Sequence, residues 1–436
     1  FGSSHFGSSI KGGTCIDVCH KLRLSNGSQR QMLLRDRYKI LESEILGEGS
    51  SATVYKGLDK VSCRNVAAKM YKFAPGDPSG LEAFMQSIEV FRALNKEGKP
   101  ICREVLNAND EQPRVRRWQT QPPGTVGKKQ DGQRNYSKDS MDSAGIRRYK
   151  TDHFLEVFDV RECYVKLLDY SKAENGEPGL DARDEVLFLI FELGEESLED
   201  ALVGCSEEGR TLAAGELRDL HWTLVSIVWG LHSAGFVHLD IKPKNIMRFT
   251  VDGKNVWKLI DLDGAVPSGS THKLEELTFT PEYMPPELAK AFLAAPASPG
   301  GGRQARMSCL MASRVMDVWS VGMCAMEAIF LQPVLRPFYT DWSEETGSDM
   351  KFFQWLSDYE SDPIVADDMR ELIEGIDKDL CELLEGMLCK DPSQRYSIGQ
   401  CVTHKWFEPI TSKLAEKTSS ESRGNNAGNS RGCALM

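Results

Sequence analysis

His238-Leu239-Asp240-Ile241-Lys242-Pro243-Lys244-Asn245 is followed, after a short apolar run, by Lys258-Leu259-Ile260-Asp261-Leu262-Asp263-Gly264. Two aspartates flank an asparagine, at intervals of 5 and 16 residues. Such a set can place a proton acceptor beside a metal-bound phosphate.

A second constellation lies upstream, in Leu46-Gly47-Glu48-Gly49-Ser50-Ser51-Ala52-Thr53-Val54. Glycines in a strand turn let backbone N–H groups approach a polyphosphate, because no Cβ intervenes. Taken alone this signal is weak. It gains weight from Ala67-Ala68-Lys69, whose lysine follows Gly47 by 22 residues. A lysine on a buried strand costs stability unless it is paired, and holding phosphate oxygens is one reason to keep it there.

Together these segments resemble the eukaryotic protein kinases of the Ser/Thr type. The first matches that family's catalytic and metal-binding loops, and the second its glycine-rich loop and strand lysine. The third glycine of the usual loop is Ala52 here. Thr280-Pro281-Glu282-Tyr283-Met284-Pro285-Pro286-Glu287 resembles the end of the activation loop, and Asp317-Val318-Trp319-Ser320-Val321-Gly322 the central buried helix of the large lobe. Arg395, in Asp391-Pro392-Ser393-Gln394-Arg395, is the arginine expected to pair with Glu287.

The resemblance implies an α+β fold with two lobes, a small β-rich one and a larger helical one. It implies that Asp240 is the base, that Lys242 steadies the transferring phosphate, and that Asn245 and Asp261 hold Mg²⁺. Lys69 would orient the phosphates of ATP under Gly47, Glu48 and Gly49. Adenine would sit between Leu46, Val54, Ala67 and Met247, with the hinge at Glu192 to Gly194 and Phe191 at the back. Thr280 would contact Asp240 and Lys242. The implied substrates are protein hydroxyls.

Besides Ala52, three positions depart from the family. Leu239 replaces the arginine that often binds an activation-loop phosphate, so dependence on such phosphorylation at Ser268, Ser270, Thr271 or Thr278 is not expected. Asp263 replaces the glycine that usually frees the metal loop to flip, although Gly264 follows it. The helix glutamate that usually pairs with the strand lysine is either Glu89 or replaced by Ser87. Ser87 shares a helical face with Phe84, Ile88 and Phe91, while Glu89 lies about 200° away, which favours the Ser87 register. In that register Lys69 needs another anion: Asp261, Asp263 or the phosphates themselves.

Along the chain, residues 1–37 read as a flexible lead-in and residues 38–408 as the kinase domain. Low-complexity insertions are expected at about 100–152 and 294–306, with a disordered tail over 409–436. Short β-prone runs cover Ile40–Leu46, Thr53–Gly57, Asn65–Tyr71, Tyr164–Tyr170 and Val186–Leu193. Amphipathic or apolar helices are expected over Gly80–Glu97, Leu217–Ala234 and Met316–Phe330.

The 436 residues carry a net charge of −11, with 41% hydrophobic and 27% charged residues. That suits a soluble globular protein. The charge argues mildly against nucleic acid as a partner and is compatible with basic peptides, although solubility alone explains it. Twelve cysteines without a repeated spacing fit a reducing compartment, hence a cytoplasmic location. Cys15, Cys19 and His20 are not followed by a second ligand pair, so chance explains them better than a metal site. No apolar run is long enough to span a bilayer. The chain opens on Phe1, so residues upstream are expected and a missing leader decides nothing. Cys433-Ala434-Leu435-Met436 fits a farnesylation signal and would give weak membrane association, or it is a chance cysteine.

Two rival readings stand beside the active kinase. A pseudokinase would keep the fold and bind nucleotide with little or no transfer. A small-molecule kinase would share the base and metal residues, but the segment from Thr280 to Glu287 favours protein substrates.

Overall fold

A computed structural model describes residues 31–74, 76–95, 160–277, 279–294 and 309–414. The two insertions fall almost wholly outside these residues, as do Cys15, Cys19, His20, Thr278 and Cys433.

The small lobe is one antiparallel sheet and a helix. Strands β1 (Gln31–Leu34), β2 (Tyr38–Glu48), β3 (Ala52–Asp59) and β4 (Arg64–Tyr71) follow one another as neighbours. Helix α1 (Ser79–Leu94) comes next, then β5 (Leu167–Tyr170) and β6 (Leu187–Glu192). The sheet order is β1-β2-β3-β4-β6-β5. Alternation along each strand gives the sheet two working faces. Leu34, Tyr38, Ile40, Val66, Ala68, Phe188 and Ile190 form a small core on one of them. On the other, Ala52, Tyr71, Leu187, Leu189 and Phe191 pack with Phe84, Ile88, Phe91 and Leu94 of α1 in the main core. Ala67 and Lys69 share this second face with Tyr71, by the two-residue period of β4, and so look toward the cleft.

Order begins earlier than residue 38. Leu34 of β1 is buried and its strand pairs with β2, so the segment 1–37 is not flexible throughout. Arg35 and Asp36 make the β1–β2 turn, both in left-handed backbone (φ 49° and 55°). The Arg35 guanidinium lies 5.2 Å above the Phe188 ring and bonds Asp181 (2.6 Å) and Asp169 of β5 (3.2 Å). The strand read from Tyr164 starts only at Leu167. Tyr164 instead makes an isolated bridge to Leu259 and donates its hydroxyl to the Ile227 carbonyl at 2.5 Å.

The large lobe holds helices α2 (Leu198–Glu207) and α3 (Ala214–Ser233), the short strand β7 (Phe236–Val237) and the hairpin β8 (Ile246–Val251) and β9 (Lys254–Leu259). Strands β10 (Val266–Pro267) and β11 (Thr271–Lys273), helix α4 (Pro286–Leu293), strand β12 (Cys309–Met311) and helix α5 (Arg314–Phe330) follow. Helices α6 (Arg336–Thr346), α7 (Met350–Ser357), α8 (Asp367–Ile376), α9 (Lys378–Met387) and α10 (Ile398–Val402) complete it. Every residue of α5 from Met316 to Ala328 is buried, as expected for a helix that is apolar all round and enclosed on all sides. Arg395 and Glu287 meet in a two-pronged ion pair (2.8 and 2.9 Å), with Arg395 fully buried, as the sequence led one to expect. Residues 408–414 are helical, and Ile410 and Leu414 pack against the main core, so the segment read as a disordered tail from 409 is folded over its first turns. Among the described residues no helix is long and apolar enough to cross a membrane.

Candidate active site

Asp317 of α5 positions the loop that follows β7. Its fully buried carboxylate accepts the N–H groups of His238 (2.8 Å) and Leu239 (2.9 Å) and lies 2.8 Å from His232 Nε2. A buried carboxylate needs such donors, and here they fix a backbone turn. Leu239 sits in the turn at φ 70°, left-handed backbone that a leucine adopts only at a cost of about 1–3 kcal/mol. The Asp317 bond and the burial of its side chain hold it there.

The turn presents Asp240. Lys242 Nζ is 2.7 Å from Asp240 Oδ2, and Thr280 Oγ1 donates to Oδ1 at 2.8 Å. Lys242 also donates to Thr280 Oγ1 at 2.8 Å, which closes a triangle of the three side chains. Asn245 Nδ2 donates to the Asp240 carbonyl (3.0 Å), which leaves its Oδ1 to face another partner. His238 joins this loop to the next one. Its Nδ1 accepts from the Asp240 N–H (3.3 Å), so its Nε2 carries the proton that goes to the Asp261 carbonyl (2.5 Å).

Lys69 stands across the cleft, 2.9 Å from Asp261 Oδ1 and 2.8 Å from Asp263 Oδ2. Burial opposes the charge on Lys69, but these two carboxylates outweigh it and hold its pKa well above the ordinary lysine value. Burial likewise pushes Asp261 upward, yet Lys69 prevails and brings it down to about 2. Asp263 moves the other way: burial, reinforced by the neighbouring Asp261, raises it despite Lys69. Tyr71 donates its hydroxyl to Asp263 Oδ1 at 2.8 Å, and Ser87 of α1 donates to the same oxygen. Ser87 is buried and Glu89 is exposed, so the Ser87 register is the one adopted. The anions for Lys69 come from the loop after β9.

The remaining expected residues are carried on β2, β3, β4 and β8 and at the end of β6. Val54 lies opposite both Gly47 and Lys69 in the sheet register, with Ala67 on the same face as Lys69. Leu46 is half exposed at the mouth. The Glu48 carboxylate points to the rim, 3.8 Å from Lys72 Nζ and away from Lys69. The Glu192 side chain also turns aside, to Lys258 Nζ (2.6 Å) and the Lys166 N–H (2.8 Å), so a ligand at the hinge would meet its backbone only. Gly194 rides on Met247. A Cβ there would come within 3.0 Å of Met247 Cε and 3.1 Å of the Phe249 ring, so a larger residue would press on both side chains.

These residues suit a magnesium-bound polyphosphate. A Cβ at Gly47 would meet nothing within 4 Å, so space lies open beside the strand turn. Lys69 supplies a cation, and Asp261 with the amide oxygen of Asn245 supplies hard oxygen ligands. Two protein oxygens suffice for Mg²⁺, which keeps waters and phosphates as its other partners.

The family model for the protein kinase domain matches residues 165–407, more than half of the chain. The chain belongs to the protein kinase domain family. The match begins at β5, and β1 to β4 complete the same sheet and supply Lys69. Curated relatives share less than a third of its residues. Smooth-muscle myosin light chain kinase of Gallus gallus is 29% identical over 193 residues, covering 44% of this chain and 8% of that protein. Cyclin-dependent kinase 1 of Encephalitozoon cuniculi is 28% identical over 240 residues, covering 51% and 72%. The probable serine/threonine-protein kinase pXi of Dictyostelium discoideum is 25% identical over 191 residues, covering 43% and 21%. The chain thus spans only a small part of two of these three relatives.

Two residues of the kinase site, Tyr71 and Gln86, escaped the reading of the sequence, and a third, Asp317, was read only as part of its helix. Tyr71 follows Lys69 by two on one strand, so the strand period already put both on one face. Gln86 donates to the Ala265 carbonyl at 2.5 Å and ties α1 to the segment after the metal loop. Asp317 was legible as a charge in an apolar helix, which must find donors, but the donors themselves lie about 80 residues away in sequence and carry no local signal.

Proposed function

We propose that this protein kinase domain transfers the γ-phosphoryl group of ATP to Ser or Thr hydroxyls of protein substrates. The observation that carries the reading is the Asp240–Lys242–Thr280 triangle, with Asp261 and Lys69 paired across the cleft. Asp240 accepts the proton of the attacking hydroxyl as the oxygen–phosphorus bond forms and the bond to the ADP oxygen breaks. Lys242 spans Asp240 and Thr280, where its ammonium can offset charge on the phosphoryl oxygens. Asn245 and Asp261 would hold Mg²⁺, which when bound neutralises charge on the phosphates. Lys69 orients those phosphates, and Asp261, held low by Lys69, stays anionic through the physiological range. Protein substrates are favoured because the Thr280–Glu287 segment is anchored to the large lobe by the buried Arg395 and so can serve as a platform.

Leu239 and Asp263 favour a second reading, a pseudokinase that binds nucleotide without transfer. The retention of Lys69, Asp240, Asn245 and Asp261 weighs against it. A peptide-library assay with ATP and Mg²⁺, run beside Asp240→Ala, tests the proposal. Transfer by the parent protein and none by the variant is expected. Nucleotide binding with no transfer by either would establish the pseudokinase.

A further inference from the structure

We infer that Asp263 and Ser87 form a compensating pair in which the carboxylate that positions Lys69 has moved from α1 to the metal loop. The inference rests on the proposed role of Lys69 as the residue that orients the nucleotide phosphates.

Three observations carry it. Asp263 Oδ2 lies 2.8 Å from Lys69 Nζ, as close as Asp261, which a metal would also claim. The other oxygen of Asp263 is held by two hydroxyls, Tyr71 from β4 and Ser87 from α1. Ser87 is buried and α1 turns Glu89 to solvent, so the helix itself brings no carboxylate to Lys69. A glutamate at 87 would replace the hydroxyl that donates to Asp263 by a carboxylate that can only accept. A small hydroxyl at 87 is therefore what an acid at 263 requires. The arrangement leaves Lys69 with one carboxylate to release to a cation, Asp261, and one to keep, Asp263. Asp263 is thus a positioning residue that acts through Lys69.

The arrangement also changes what α1 controls. Beside Lys69 its side-chain bonds run through Ser87 to Asp263 and to Tyr71 of β4, and through Gln86 to the Ala265 carbonyl, and among the described residues none goes directly to Lys69. An outward displacement of α1 would loosen the loop before it released the lysine.

The test uses the full chain as Asp263→Gly, Asp263→Asn, Ser87→Glu and the double variant Ser87→Glu/Asp263→Gly. Two quantities are read: the rate at which an amine-acylating reagent labels Lys69 in nucleotide-free protein, located by mass spectrometry, and the affinity for Mg·ATP. With the lysine's partner gone, Asp263→Gly and Asp263→Asn should label several-fold faster and bind Mg·ATP several-fold more weakly. Ser87→Glu alone should also weaken binding, and the double variant should recover most of both losses. A double variant no better than the worse single one, or unchanged labelling of Lys69 in Asp263→Asn, overturns the inference. Asp263→Asn nearly conserves shape, so its labelling stays informative even if the double variant fails to fold. Because labelling needs no turnover, it separates this inference from the proposed activity. A parent protein without transfer but with the expected labelling pattern would refute the activity and leave the pair standing.

Discussion

At Ser87 and Glu89 a difference of two residues decides which side chain of α1 turns inward, onto the carboxylate that pairs with a buried lysine. Helical periodicity made the choice legible, because Phe84, Ile88 and Phe91 already defined the buried face. What periodicity could not supply was the replacement anion, since Asp261 and Asp263 were equal candidates by position and the structure has Lys69 between both. An exposed Glu89 has no part in this geometry. Glu89→Ala is therefore expected to leave phosphate transfer unchanged and to keep the unfolding free energy within about 0.5 kcal/mol of the parent, the usual range for surface substitutions. Complete inactivation with normal folding would return the pairing role to Glu89. The triad of Asp240, Asn245 and Asp261 was readable because its spacing is local. The Asp317 anchor was not, because its partners come from another element.

Among the elements, the ribbon of β11 and β12 changes how the loss of an arginine at 239 is understood. Thr271 lies opposite Met311 and Lys273 opposite Cys309, and the ladder continues in the bonds from the Gly269 N–H to the Ala312 carbonyl (2.8 Å) and from the Ala312 N–H to the Ser270 carbonyl (2.9 Å). The activation segment is held by backbone bonds to a strand just before α5, where the family arginine would have used a phosphate. Treatment of the protein with a phosphatase is expected to change its activity by less than about twofold, because no arginine at 239 awaits the phosphate. A large fall on dephosphorylation would contradict the assignment. The ribbon was not legible in the sequence: β12 adjoins a low-complexity insertion, and its three residues are too few for a period. The anchor of α4 was legible. Arg395→Ala leaves the partly buried Glu287 without its partner and should destabilise the large lobe by about 3 kcal/mol, measured by chemical denaturation.

For the whole molecule, two lobes were predictable from the succession of a strand-rich and a helix-rich part. The ends of the domain were not, because Leu34 closes a run of only three apolar residues, Ile410 and Leu414 stand in mostly polar text, and only tertiary packing shows what they touch. Stability should also carry a pH signature from Glu327. Burial pushes this carboxyl up from 4.5 to about 7, with the Tyr283 hydroxyl, 2.5 Å away, pulling it partly back. Its folded pKa exceeds its unfolded one, so its contribution is full below 4.5 and is lost as pH rises through about 7. Melting temperatures measured across that window should fall for the parent and fall less for Glu327→Gln, by an amount equivalent to on the order of 3 kcal/mol. Parallel curves would exclude Glu327 as the source. The turn at Arg35 has a consequence of another kind. The strands β1 and β5 are the two margins of the sheet, and a sheet margin offers unpaired backbone groups to any other chain. By reaching from the end of β1 to Asp169 on β5, Arg35 draws the margins toward each other and curls the sheet upon itself. Arg35→Ala is therefore expected to leave both margins freer to pair with another chain, seen as a rise in light scattering at high protein concentration.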